Sequence, residues 1–274
     1  MTEPVPPTSG DASGQSRARD RITYVGHATV LLEVAGQRIL TDPVLTGRVA
    51  FIRRLPGRAR DVSSHPDVVL ISHGHQDHLH RASLRLVASE APIVAPVGLG
   101  ALIRRWGFQR VEELAVNATT TVGNVTITAV YADHSGFRPP SGPRAEAIGF
   151  VVSAEGRRVY FAGDTDLYPA MADIGRDGLD LALLPVWGWG PRLGPGHLDP
   201  ERAAQAVGML RPAVAIPIHW GTLWPIAMHW RRHHLTEPPV RLADAVAALD
   251  LATRVVILAP GESSDLPPAQ GEAA

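Results

Sequence analysis

The chain has 274 residues, of which 45% are hydrophobic and 19% charged, and its formal net charge is −1. That supplies enough apolar matter for a substantial core, and too balanced a charge to draw the protein onto nucleic acid or an anionic membrane. Cys and Lys are both absent, which excludes thiolate nucleophiles, disulfides, Cys-held zinc, Schiff-base lysines and the P-loop lysine.

Residues 1–20 are rich in Pro, Ser, Gly and charge and lack the apolar stretch of a signal peptide. A disordered tail and a cytoplasmic location are the expectation. No apolar run approaches a membrane span. The folded unit is expected over 21–262 as a single domain, with a flexible tail over 263–274. Ile22–Val25, Thr29–Val34 and Arg38–Thr41 read as short strands, the last two joined by a turn at Ala35-Gly-Gln. Val68–Ile71 reads as a buried strand, Leu79–Ala88 as a helix, Pro92–Ala95 as a strand and Leu99–Trp106 as a second helix. Val125–Tyr131 alternates Thr with apolar residues, as a half-buried strand does. Ile148–Ser153 and Arg158–Ala162 form a predicted hairpin, and Leu179–Val186 a buried strand. Asp199 followed by Pro200 opens a helix running to about Leu210. Ala213–Ile218 is a predicted strand, Leu242–Leu249 a helix and Arg254–Leu258 the last strand. Hairpins followed by mixed strands and helices imply two sheets packed face to face under helices.

One segment concentrates the chemistry. Val68–Ile71 runs directly into His73-Gly-His75-Gln-Asp77-His78-Leu-His80. Neutral imidazoles and a carboxylate are ligands that suit zinc, iron and manganese. In an extended loop His73 and His75 point the same way, while Asp77 and His78 diverge from them, which favours two neighbouring metals over one. Three further polar groups end predicted strands: His134, Asp164 and His219. Strand carboxyl ends are where mixed α/β sheets bind ligands. His197 precedes the helix that Asp199 opens, as either a substrate-facing acid or a packing residue. His27 is read as structural, at the pocket edge, and Asp42 as either a turn former or a carboxylate holding a ligand histidine.

This order of motifs resembles the metallo-β-lactamase fold superfamily. Gly26-His-Ala-Thr-Val, Leu40-Thr-Asp-Pro, Phe161-Ala-Gly-Asp-Thr, Leu184-Pro-Val, His197-Leu-Asp-Pro-Glu and Ile218-His-Trp-Gly-Thr look like the branch containing N-acylphosphatidylethanolamine phospholipase D. The ascorbate-6-phosphate lactonases are a more distant likeness. The resemblance spans about Ile22 to Glu262 and implies an α+β fold, the four-layer αββα sandwich. It implies two divalent ions: one held by His73, His75 and His134, the other by Asp77, His78 and His219, with Asp164 and a water or hydroxide between them. Zinc is the first expectation, and manganese or iron fits the same donors. His80 stands where the phospholipase branch carries Asp.

The expected activity is a metal-dependent hydrolase acting on a phosphodiester or phosphorylated small molecule, with Asp77 also orienting the attacking water and His197 as acid or oxyanion donor. A lactone or carboxylic-ester hydrolase on the same centre is the alternative. A nuclease is a third reading, which the near-neutral charge disfavours. Arg53–Arg60 is either a solvated loop, the commoner outcome, or a guide for an anionic substrate, and Arg138 and Arg144 are better placed for that role. Trp187-Gly-Trp-Gly-Pro is read as an apolar pocket wall. His229, His233 and His234 are read as an exposed helix face, and Trp220–Trp230 as a candidate contact for a homo-oligomer.

Overall fold

A computed structural model describes residues 20–55, 65–87, 90–190, 192–227, 235–267 and 269. The 1–19 tail, the region of His229, His233 and His234, and most of Arg53–Arg60 lie outside these residues. In the first half the strands are β1 (Arg21–Gly26), β2 (Thr29–Val34), β3 (Gln37–Thr41), β4 (Arg48–Val49), β5 (Ile52–Arg54), β6 (Val68–Leu70), β7 (Ile93–Pro96) and β8 (Val111–Leu114). Helices α1 (Arg81–Val87) and α2 (Gly100–Arg105) flank β7 in sequence. Then come β9 (Thr119–Val122), β10 (Val125–Tyr131), β11 (Ile148–Ala154), β12 (Arg157–Phe161), α3 (Met171–Gly175), β13 (Leu181–Pro185) and α4 (Pro200–Leu210). The chain closes with β14 (Val214–Ile218), β15 (Leu223–Pro225), α5 (Glu237–Ala248), β16 (Arg254–Val255) and β17 (Glu262–Asp265).

Among the described residues these strands form two large sheets, ordered β17-β1-β2-β3-β6-β7-β8 and β16-β14-β13-β12-β11-β10-β9. Side-chain alternation explains why they stack. In β2, Val30, Leu32 and Val34 join the core between the sheets, while Leu31 faces the other way, into a second core beneath α1 and α2. β6 repeats the split, with Val68 and Leu70 inward and Val69 outward. Ile127, Phe150, Val152 and Phe161 meet them from the opposite sheet. Ala203, Val207 and Leu210 of α4 and Leu242 and Val246 of α5 pack into that same core. The result is the α+β layering of helix, sheet, sheet and helix.

The hairpin turns obey local chemistry. Glu155 and Gly156 both have positive φ, 51° and 79°, the pairing a two-residue hairpin needs to match strand twist. α4 starts where the sequence indicates, Asp199 accepting from Arg202 N at 2.8 Å with Pro200 in the first turn. α5 begins earlier than Leu242, at Glu237, because Pro238 and Pro239 sit in the first turn, where their missing N–H groups cost nothing. The expected flexible tail after Glu262 is corrected: Ser263–Asp265 continue β17 and pair with Arg21–Thr23. β8 and β9 escape sequence reading because they are largely exposed edge strands with little apolar patterning. No helix among the described residues is long and apolar enough to cross a membrane.

β3, β6, β7 and β8 run parallel to one another, as do β12, β13, β14 and β16. Parallel strands deliver their carboxyl ends to one edge. That edge carries the site.

Candidate metal centre

The His73–His80 segment leaves β6 and is fixed by Asp42, a fully buried carboxylate at the end of β3. Asp42 accepts from the Ser72 backbone N–H at 2.8 Å and from Ser72 Oγ at 2.5 Å. Its Oδ2 also lies 2.8 Å from His78 Nδ1. Arg138 ties down the rest of the segment by donating to the carbonyls of Gly74 (2.7 Å) and Leu79 (2.9 Å) while stacking on Trp106.

From the facing sheet, His134 follows β10, Asp164 follows β12 and His219 follows β14. The side chains converge. His134 Nε2 is 3.1 Å from His75 Nδ1, and His78 Nε2 is 3.1 Å from His219 Nε2. Asp164 reaches His78 Nε2 through Oδ2 and His219 Nε2 through Oδ1, each at 3.1 Å, and lies 3.9 Å from His73 Nε2. Two adjacent groups that share no residue result: His73, His75 and His134, then Asp77, His78 and His219 with His27 beside them.

The outer ring nitrogens decide what the inner ones can do. His78 Nδ1 faces Asp42, His219 Nδ1 faces the Trp187 carbonyl (2.6 Å) and His134 Nδ1 faces the Gly196 carbonyl (2.7 Å). His73 Nδ1 lies 3.0 Å from Ser72 Oγ, whose own proton goes to Asp42. At His73, His134 and His219 the outer nitrogen therefore carries the proton of a neutral ring and Nε2 presents a lone pair inward, whereas His78, ringed by Asp42, Asp77 and Asp164, holds a proton on Nε2 as well when no cation is bound. A bound cation would take the place of the protons shared across these 3.1 Å nitrogen–nitrogen contacts. His73 Nε2 and Asp164 Oδ1 are buried without a hydrogen-bond partner, a costly arrangement that a bound cation would relieve. The donor set fits divalent metal.

A family model described as the beta-lactamase superfamily domain matches residues 37–220. A metal-dependent hydrolase from Methanopyrus kandleri is 36% identical over 89% of this chain and 98% of its own. One from Pelotomaculum thermopropionicum is 36% identical over 90% and 100%. The chain belongs to the β-lactamase superfamily. It is a metal-dependent hydrolase. Among solved structures it is similar in fold to a metallo hydrolase from Ignicoccus hospitalis, with a TM-score of 0.70 and 24% identity over 90% of this chain and 98% of that one.

In this β-lactamase-superfamily hydrolase, burial governs the electrostatics. It holds His73 and His219 well below the usual imidazole pKa, lowers His75, and takes His134 down to about 4. Burial also opposes charge on His78, but Asp164, Asp42 and Asp77 outweigh it and push that ring well above 6.5. Burial works likewise against His197, and its bond to Asp164 takes the ring up to about 9. The signs give a two-sided expectation for chelator-treated protein. From pH 6.5 down to about 4 the unfolded chain takes up protons that His134 refuses, so stability falls with acid. From 6.5 up to about 9 the folded chain keeps the His197 proton longer, so stability falls with base. Melting temperature should peak near pH 6.5, and a flat profile from 4 to 9 would contradict these environments.

His197 sits in the site. Its Nε2 is 3.5 Å from Asp164 Oδ2, and its Nδ1 faces the carbonyls of Gly194 and Pro195. Above the cluster opens a cavity of about 360 Å³ with Asp77, Asp164, His197 and His219 at its polar end. Val49, Phe51, Ile52, Trp189 and Leu193 form the apolar walls. β5 pairs with β4 on one side and β15 on the other in a small third sheet that carries the Phe51 wall.

Several expected residues turn out to be structural. Arg54 is buried and donates to the carbonyls of Val44 and Val25. Arg138 holds the metal-site segment, and Arg144 stacks over Phe137. His80 bonds Ser83 Oγ through Nδ1. Two site residues were missed as such. His27, read as structural, places Nε2 3.1 Å from Asp77 Oδ2. Trp189, read only as an apolar wall, donates its indole N–H to that same oxygen at 3.0 Å.

Proposed function

We propose that this hydrolase works with two divalent ions, zinc first among the candidates. His73, His75 and His134 would hold one, Asp77, His78 and His219 the other, with Asp164 between them. The supporting observation is the convergence of His75, His78, His134 and His219 ring nitrogens on a buried centre where His73 Nε2 and Asp164 Oδ1 lack a hydrogen-bond partner. Such ions acidify a bound water and polarise a substrate oxygen. The chain's own residues do the rest. Asp77 and Asp164 orient water at the cavity floor and accept its proton. His197, with oxygen acceptors at both nitrogens, is held as a cationic donor beside the polar end of the cavity, placed to stabilise developing negative charge or protonate a leaving oxygen.

The walls favour a carboxylic ester or lactone with an apolar arm over a phosphodiester. Among the described lining residues, Arg192 is the one guanidinium, and it is exposed. Of the arginines expected to guide phosphate, Arg54, Arg138 and Arg144 are engaged elsewhere. Metal-loaded protein should therefore prefer alkyl esters and lactones to bis(p-nitrophenyl) phosphate. Each added methylene should raise kcat/KM roughly fourfold until the cavity fills, from about 0.8 kcal/mol per buried CH₂. A preference for the phosphodiester, indifferent to chain length, would reverse this choice of substrate.

A further inference from the structure

Asp77 is held from two sides by residues remote in sequence. His27 occupies the β1–β2 turn with φ of 57°, a left-handed conformation rare for a residue with a side chain. Its backbone N–H donates to Thr222 Oγ1 at 2.9 Å, and its carbonyl accepts from His219 N at 2.7 Å. His219 is itself left-handed, at φ of 65°. Backbone strain of this kind persists only where the surroundings over-determine it, and it collects at working sites. Here its effect is to bring His27 Nε2 to Asp77 Oδ2 at 3.1 Å. A carboxylate oxygen can only accept, so Nε2 carries the proton. His27 lies close enough to Asp77, His78 and His219 to read as a fourth ligand, but the nitrogen it turns to Asp77 is a donor.

The second hold is the Trp189 indole N–H, 3.0 Å from the same Oδ2. The Trp189 ring also forms the cavity wall and meets Phe51 edge-on, with centroids 5.2 Å apart. Two donors fill Oδ2. The same oxygen lies 3.9 Å from His78 Nε2.

We infer that His27 and Trp189 are a pair of positioning residues that clamp Asp77 Oδ2, the oxygen 3.9 Å from His78 Nε2, and so fix how Asp77 would meet a metal beside His78 and His219. Trp189 thereby joins the substrate wall to the metal centre. The inference rests on the metal-site reading above. It separates two properties of one side chain, because Phe at 189 keeps the wall and loses the N–H, whereas Ala loses both.

The test is calorimetric titration of zinc into chelator-stripped wild type, Trp189→Phe, Trp189→Ala and His27→Asn, with melting temperatures of the stripped proteins alongside. Asn tolerates the left-handed turn but is too short to reach Asp77 as the ring does. Trp189→Phe and His27→Asn should each weaken one of the two binding events by roughly tenfold, the low end of what losing a ligand's hydrogen-bond partner costs. The other event should stay unchanged, as should the melting temperature of stripped Trp189→Phe. Trp189→Ala should raise the KM for an alkyl ester more than Trp189→Phe does. Zinc binding by Trp189→Phe as tight as wild type at both sites would overturn the clamp. Wild type that takes up no zinc would instead sink the metal assignment itself.

Discussion

Asp164→Asn should cost more than about 100-fold in turnover and leave fewer than about two metal ions per chain, while the protein folds as before. The lower bound follows from comparison: losing a group that merely supports a ligand already costs 10–100-fold, and Asp164 stands between both ligand groups. Asn has the same shape, so no cavity opens. Its amide nitrogen replaces only one of the two oxygens, so it can face His78 Nε2 or His219 Nε2 but not both. Stripped Asp164→Asn should still unfold in a single cooperative transition. Elemental analysis, kinetics and thermal melting on one preparation check all three. A variant retaining both ions and wild-type turnover would show that the cluster around Asp164 is not the reaction centre.

Asp42→Ala should do the opposite, damaging the fold first. Asp42 is fully buried and accepts from Ser72 N, Ser72 Oγ and His78 Nδ1. Removing it leaves buried donors unanswered and the His78 ring unsupported, a loss of about 3–5 kcal/mol. At about 2–4 °C per kcal/mol for a chain of this size, the melting temperature should drop by roughly 6–20 °C. The measurement belongs in chelator, so that lost metal does not add to it. Asp42→Asn keeps one acceptor oxygen and should fall between. An Ala variant melting within about 2 °C of wild type would show that the segment is held by something else.

The contrast between these two carboxylates shows what sequence carries and what it does not. His73, His75, Asp77 and His78 are legible because they are contiguous and follow an apolar strand. His134, Asp164 and His219 are legible because each ends a strand whose patterning is plain, and strand ends gather at one edge. The sandwich is legible for the same reason, since residues such as Val30, Leu31 and Leu32 alternate between two cores. His27 was underrated because its reach to Asp77 depends on a left-handed turn and a contact across 50 residues. Gly26 immediately before it, with φ of 128° and no room for a Cβ against Thr222, is the trace such a turn leaves. The arginines misled for a related reason. A guanidinium near a site in sequence looks free to meet an anion, but Arg54 and Arg138 spend their donors on backbone carbonyls that loops left exposed.

The residues proposed to hold metal come from the two facing sheets of the sandwich. The His73–His78 segment leaves the sheet built mainly from the chain's first half, and His134, Asp164 and His219 leave the sheet built from its second. An ion seated among them is a rivet through the seam where the two slabs meet, far from the hydrophobic contacts that join them elsewhere. Withdrawing it should slacken amide protection along that one margin and leave the opposite margin untouched, so hydrogen exchange would trace the joint along the backbone.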